Sequence, residues 1–120
     1  MSGRILVVED NALLAIELAQ TLASAGFEVV GPALTVAQSM ALIEKTGCDA
    51  AVLDINLRGE TSEPVAKELH SRGIPFLTMT GYARAQQPAV FEGAPTFTKP
   101  VAIDLVISEL RNSLKARTGQ

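Results

Sequence analysis

Short apolar runs alternate along this chain with longer stretches whose apolar positions recur every three or four residues. Arg4 to Val8, Glu28 to Gly31, Ala50 to Asp54, Pro75 to Met79 and Thr96 to Thr98 are too short for helices and rich in branched side chains. They read as five strands. The run ending at Asp54 has no polar alternation, so it reads as a strand buried on both faces. The stretch Thr96 to Thr98 reads as an edge strand. Between these runs, Asn11 can cap a helix whose stripe is Leu14, Leu18 and Leu22 with Ala15, Ala19 and Ala23, stopped at Gly26. Thr35-Val36-Ala37-Gln38 matches a capping box ahead of a helix to about Lys45, closed by Gly47. Ser62 or Thr61 caps a third helix, with Pro64 in its first turn, Val65, Ala66 and Leu69 inward, and Gly73 at its end. A last helix runs from Asp104 to about Lys115 with Leu105, Val106, Leu110 and Leu114 apolar, leaving 116–120 as a frayed tail.

Strand–helix alternation of this kind predicts an α/β fold: a single five-stranded parallel sheet with helices on both faces, formed by one domain over residues 1–120. One segment breaks the rhythm. A fourth helix belongs between Thr80 and Thr96, yet Pro88 sits in its middle and only Val90 and Phe91 are strongly apolar. The pattern predicts a loop there, or one or two turns, with low local stability.

Composition narrows the function classes. Net charge is −3 with Lys and Arg scattered, which argues against a nucleic-acid surface. Cys48 is the single cysteine, so no disulfide framework exists and the thiol reads as a plain buried or half-buried one. No apolar stretch is long enough for a membrane span and no signal peptide is visible, so the expectation is a soluble cytoplasmic protein without membrane partners. His70, the only histidine, lies among polar residues of the third helix and reads as a surface residue.

The chemistry collects at strand ends. Glu9-Asp10 follows the first strand, Asp54 closes the third, Thr80 follows the fourth and Lys99 the fifth. In a parallel α/β sheet these ends converge on one rim, where ligands bind. A buried carboxylate there costs several kcal/mol to desolvate unless it is compensated. Three acids with a hydroxyl and an ammonium suggest a site for a divalent cation and a phosphoryl group. The plainer readings are a turn-capping Asp54, helix-terminal acids favoured by the dipole, and a solvated lysine. They explain single residues but not the convergence.

With these five positions in this order, the chain resembles the receiver domain of bacterial two-component response regulators. Asn56-Leu57-Arg58-Gly59-Glu60 and Pro75-Phe76-Leu77-Thr78-Met79-Thr80-Gly81-Tyr82 resemble the FATGUY receivers of alphaproteobacteria, with Met79 as a departure. Those often stand alone and are associated with general stress signalling. The resemblance implies a flavodoxin-like strand order 2-1-3-4-5. It implies Asp54 as phosphoacceptor from a sensor histidine kinase or phosphotransfer protein. Mg2+ would be held by Asp10 and Asp54 directly, by Glu9 through water and by the Asn56 carbonyl. Thr80 and Lys99 would contact the phosphoryl group, Asn56 and Tyr82 would flank it, and Lys99-Pro100 would be cis. The protein would then be no enzyme beyond its own phosphorylation and dephosphorylation, and its output would be contact with a downstream protein.

Many receivers carry an aromatic switch residue three positions before the lysine. Here that position is Thr96, and strand alternation turns Phe97 to the opposite face, into the core. An order–disorder change in residues 81–95 is therefore expected in place of a ring rotation. The alternative is a phosphate sink that drains a kinase and binds no target, which acyl-phosphate lifetime would separate. A flavin domain of similar topology is disfavoured, because Glu9-Asp10-Asn11 would repel a phosphate where a Gly/Ser/Thr loop should cradle it.

Overall fold

The computed structural model describes residues 3–81 and 88–118, without the side chains of 117 and 118. In chain order the elements are β1 (Arg4–Val8), α1 (Ala12–Ser24), β2 (Glu28–Ala33), α2 (Val36–Lys45), β3 (Ala50–Asp54), β4 (Asn56–Leu57), β5 (Glu60–Thr61), α3 (Glu63–Ser71), β6 (Phe76–Thr80), β7 (Thr96–Thr98) and α4 (Ile103–Thr118). A single 3-10 turn, Ala89–Phe91, precedes β7. The sheet runs β2-β1-β3-β6-β7 with all pairs parallel. Setting aside β4 and β5, a two-stranded antiparallel hairpin of their own, this is the expected order 2-1-3-4-5.

Each helix forms where its apolar spacing allows one buried stripe. On one side of the sheet, α1 and α4 cover Ile5, Val7, Val52, Leu77 and Met79 with Leu18, Leu22, Val106 and Leu110. On the other, α2, α3 and the 3-10 turn cover Leu6, Val8, Ala51 and Leu53 with Ile43, Val65, Leu69 and Phe91. Sandwiched between the two layers, β3 is buried at every residue. The α1 stripe is narrower than its periodicity promised: Ala15, Leu18 and Leu22 are buried, while Ala23 faces solvent. In α4, Leu105 is 56% exposed and drops out of the expected stripe, because Ile103 and Ile107 flank Val106 on the sheet side instead. That helix also continues past Lys115 to Thr118, which shortens the frayed tail the sequence suggested.

Caps behave as side-chain chemistry requires, with small changes of partner. Asn11 accepts from the Leu14 amide of α1 at 3.2 Å, and Thr35 from the Gln38 amide of α2 at 3.1 Å. Gln38 reaches back to the Leu34 amide at 2.8 Å, one residue earlier than a capping box prescribes. At α3 the cap is divided: Thr61 Oγ1 accepts from the Glu63 amide at 3.3 Å, while Ser62 Oγ donates to the Ile55 carbonyl.

Of the irregular segment before β7, residues 82–87, and with them Tyr82, lie outside the described residues. The described remainder holds the one 3-10 turn, whose Phe91 is buried against α3. Phe97 packs half-buried against the α1–α4 layer, as strand alternation predicted. Thr96 faces the opposite way, and its hydroxyl lies 2.9 Å from that of the fully buried Thr78. Cys48 is buried and His70 exposed. No helix among the described residues is long and apolar enough to cross a membrane.

Candidate metal and phosphoryl site

Strand order reverses between β1 and β3, so the chain leaves these neighbours in opposite directions and opens a crevice beyond their carboxyl ends. A cleft of about 450 Å³ lies there, lined by Glu9, Asp10, Asn11, Asp54, Asn56, Arg58, Gly81 and Lys99. Five of the positions singled out in the sequence, Glu9, Asp10, Asp54, Asn56 and Lys99, thus share one wall. Thr80 closes β6 beside them. It is 2% exposed, and its carbonyl accepts from the Lys99 amide at 2.8 Å, which ties the ends of β6 and β7 together.

Lys99 is the hub. Its ammonium donates to Asp54 Oδ2 at 2.8 Å and lies 2.9 Å from Glu9 Oε1. That buried Glu9 oxygen has the Lys99 ammonium as its ion-pair partner, and among the described residues no other group donates to it. Glu9 Oε2 accepts from the Asn11 amide at 2.9 Å. Asp54 Oδ1 accepts from the Asn56 amide at 3.2 Å. Asp10 Oδ2 accepts from the Arg58 amide at 3.0 Å, with the Arg58 guanidinium 3.6 Å away. The peptide bond Lys99-Pro100 is cis, as the resemblance implied, and so is Gly31-Pro32. The latter stands where the β1–β2 register shifts between Leu6 and Val8. Gly31 has φ +97°, and a Cβ there would stand 2.7 Å from the Ala33 amide nitrogen, so a side chain is excluded.

Electrostatics follow from this burial. Desolvation pushes the Glu9 carboxyl above its ordinary range; the Asn11 amide and Lys99 pull it back, while the charge of Asp54 adds to the rise. For Lys99, burial works against the charged form, but the hydrogen bond to Asp54 and the pairing with Glu9 outweigh it and hold the ammonium above its ordinary value. One ligand oxygen each from Glu9, Asp10 and Asp54 lies within 4.8 Å of the others. Three carboxylates so close, one of them on a fully buried residue whose Oε1 meets a single ammonium among the described residues, fit a hard divalent cation. One ammonium is a partial substitute for it.

Sequence reading passed over two contributors. The Asn11 backbone amide, besides starting α1, orients Glu9. Arg58 was only part of a motif; the structure brings it to the cleft at the tip of the β4–β5 hairpin. Arg58-Gly59 between Leu57 and Glu60 is a two-residue turn whose second position, Gly59, has φ +73°. A glycine between short flanking strands was the available signal for it.

Comparisons with known proteins agree with the geometry. Residues 5–111 match the family model for the response regulator receiver domain. The transcriptional regulatory protein PdtaR of Mycobacterium tuberculosis is 29% identical over 119 residues, covering 90% of this chain; the chain spans 58% of that protein. The solution structure of SdrG from Sphingomonas melonis Fr1 superimposes with a TM-score of 0.79 at 40% identity, covering 94% of this chain and 96% of that one. The crystal structure of the response regulator PhyR from Brucella abortus superimposes with a TM-score of 0.82 at 28% identity, covering 99% of this chain and 50% of that one.

Proposed function

The chain belongs to the response regulator receiver domain family, and on that premise we propose that it accepts a phosphoryl group on Asp54 from a phosphohistidine of a partner kinase or phosphotransfer protein. The observation that carries this reading is the convergence on Asp54. That carboxylate is buried, hydrogen-bonded to Lys99, and grouped with Glu9 and Asp10 beside an open cleft. In the transfer an Asp54 oxygen forms a bond to phosphorus as the phosphorus–nitrogen bond breaks, leaving an acyl phosphate on Asp54 and a free imidazole on the partner. Glu9, Asp10, Asp54 and the Asn56 carbonyl are the groups to hold Mg2+. When bound, the ion neutralises negative charge on carboxylates and phosphoryl oxygens. Lys99 contributes a second positive charge, and the Thr80 hydroxyl a hydrogen bond to a phosphoryl oxygen.

The same reading takes the protein as a stand-alone cytoplasmic receiver in general stress signalling, acting through contact with a downstream protein. The Asn56–Glu60 and Pro75–Tyr82 motifs support it, as does the match to SdrG over 96% of that solved chain. Output through ordering of residues 81–95 rests on the sequence pattern and on Thr96 standing where a switch aromatic would be. Amide exchange there, with and without Mg2+ and beryllofluoride, tests that part; equal protection in both states refutes it. The acceptor assignment is tested by incubation with candidate histidine kinases and labelled ATP. Label transfers to the wild type and not to Asp54→Ala; label persisting on the variant would refute it.

A further inference from the structure

Arg58 lines the phosphoryl cleft but belongs to none of the positions assigned above. Its backbone is fixed from several directions. The Arg58 amide donates to Asp10 at 3.0 Å, and Leu57 beside it is buried in the apolar layer that α2 and α3 cover. Glu60, across the hairpin from Leu57, accepts from the Val36 amide at the start of α2 at 3.2 Å. The side chain is the opposite case: it is 87% exposed, and among the described residues its ion pair is the 3.6 Å approach to Asp10. A guanidinium beside Asp10 at the edge of the cleft, exposed and only loosely engaged, is a donor open to a better acceptor.

We propose that Arg58 is a phosphoryl-binding residue: it pairs with Asp10 while Asp54 is unmodified and turns to the phosphoryl oxygens once they occupy the cleft. This rests on the phosphoacceptor reading. A divalent cation on Asp10 cancels the charge that holds the guanidinium, while a phosphoryl group on Asp54 places up to two negative charges and three acceptor oxygens in the same cleft. Arginine presents paired N–H donors that match two phosphoryl oxygens, which a lysine ammonium does not. Lys99, after β7, is engaged by Glu9 and Asp54, and Arg58, on the hairpin, by Asp10, so the two cations reach the cleft from different elements and Arg58 adds a second positive charge to the group.

The test is beryllofluoride binding to the full chain at saturating Mg2+, measured by titration for wild type, Arg58→Ala and Arg58→Lys. The backbone amide contact to Asp10 survives in both variants, and the substituted side chain is exposed, so folding is unaffected; far-UV circular dichroism verifies this. Arg58→Ala is expected to weaken beryllofluoride binding about tenfold, with Arg58→Lys in between, as for one charge-assisted contact in a partly wet site. Mg2+ affinity in the absence of the fluoride should hold or rise, since Asp10 loses a competing cation. Equal beryllofluoride affinity in all three proteins overturns the proposal. A loss in Arg58→Ala that tracks weakened Mg2+ binding also overturns it, by placing the residue's role at the metal. If wild type itself binds no beryllofluoride, the phosphoacceptor reading fails and this inference with it.

Discussion

Replacing Lys99 with methionine should unmask the repulsion that the cleft is built around. The ammonium lies 2.8 Å from Asp54 Oδ2 and 2.9 Å from Glu9 Oε1, and these carboxylates belong to residues 4% and 0% exposed. Methionine keeps the length and apolar stem of the side chain, so the loss is of charge. Removing one partner of a buried ion pair costs roughly 3–5 kcal/mol. Lys99 is 26% exposed and the cleft opens to water, so a discounted figure of about 1–3 kcal/mol applies here. The assay is urea unfolding at neutral pH, with and without saturating Mg2+. Without metal, Lys99→Met should unfold at lower urea by that amount. With metal at one saturating concentration the gap should narrow, because the ion supplies the missing positive charge and so binds the variant more tightly; each tenfold tightening closes about 1.4 kcal/mol of it. A variant as stable as wild type without Mg2+ refutes the reasoning, as does a gap that Mg2+ leaves unchanged.

Other consequences can be checked alongside. The raised Glu9 carboxyl favours the folded state most when protonated, so its contribution is fully present below the ordinary value of 4.5 and is lost as pH rises through the raised folded value. Mg2+ needs the ionised form, so metal stabilisation in thermal melts should fade on acidification at a higher pH than an ordinary carboxylate would give; Glu9→Gln should abolish that shift. Lys99 is raised too: its stabilisation is complete below 10.5 and disappears as pH climbs through the folded value, which base titration of unfolding free energy would register and Lys99→Met would lack. Thr78→Val leaves Pro95 and Thr96 without a buried hydroxyl that bonds both, at 3.2 and 2.9 Å, and should cost about 1 kcal/mol in urea unfolding. Leu53→Ala, in the strand buried on both faces, should cost about 2–5 kcal/mol by the same assay.

The sheet was legible in the sequence because its signals are local and redundant. β1, β3 and β7 occupy the predicted residues, since a run such as Ala50-Ala51-Val52-Leu53 admits little besides a central strand. The rim was legible for another reason: parallel topology sends every strand's carboxyl end to one side, so Glu9, Asp10, Asp54, Thr80 and Lys99 had to gather once the topology was right. What escaped depends on neighbours distant in the chain. Leu105 fits an apolar periodicity as well as Ile103 does, and only the sheet's position decides which faces inward. The β4–β5 hairpin has strands of two residues each, below any periodicity. Its importance comes from contacts to Asp10 and Val36, which are 48 and 24 residues away along the chain.

The cleft therefore combines two kinds of support. Its acids stand on the sheet, held by β1 and β3 between two apolar layers, so their mutual repulsion cannot be relieved by moving apart. Its cations stand on the periphery. Lys99 follows the edge strand β7, and Arg58 caps a hairpin attached to the body through Leu57 and a few hydrogen bonds. Rigid anions with cations on long, partly exposed side chains favour a site that responds to what enters it: the charge to be compensated stays fixed, and the compensating side chains redistribute. On the proposed reading, a metal ion would take over some of their work, and a phosphoryl group would give both a new acceptor. Such a change would then register first at β7 and the β4–β5 hairpin. Outward from the site, the Thr96 hydroxyl of β7 donates to the Ala94 carbonyl at 3.3 Å, and the hairpin leads through Glu60 to the first turn of α2.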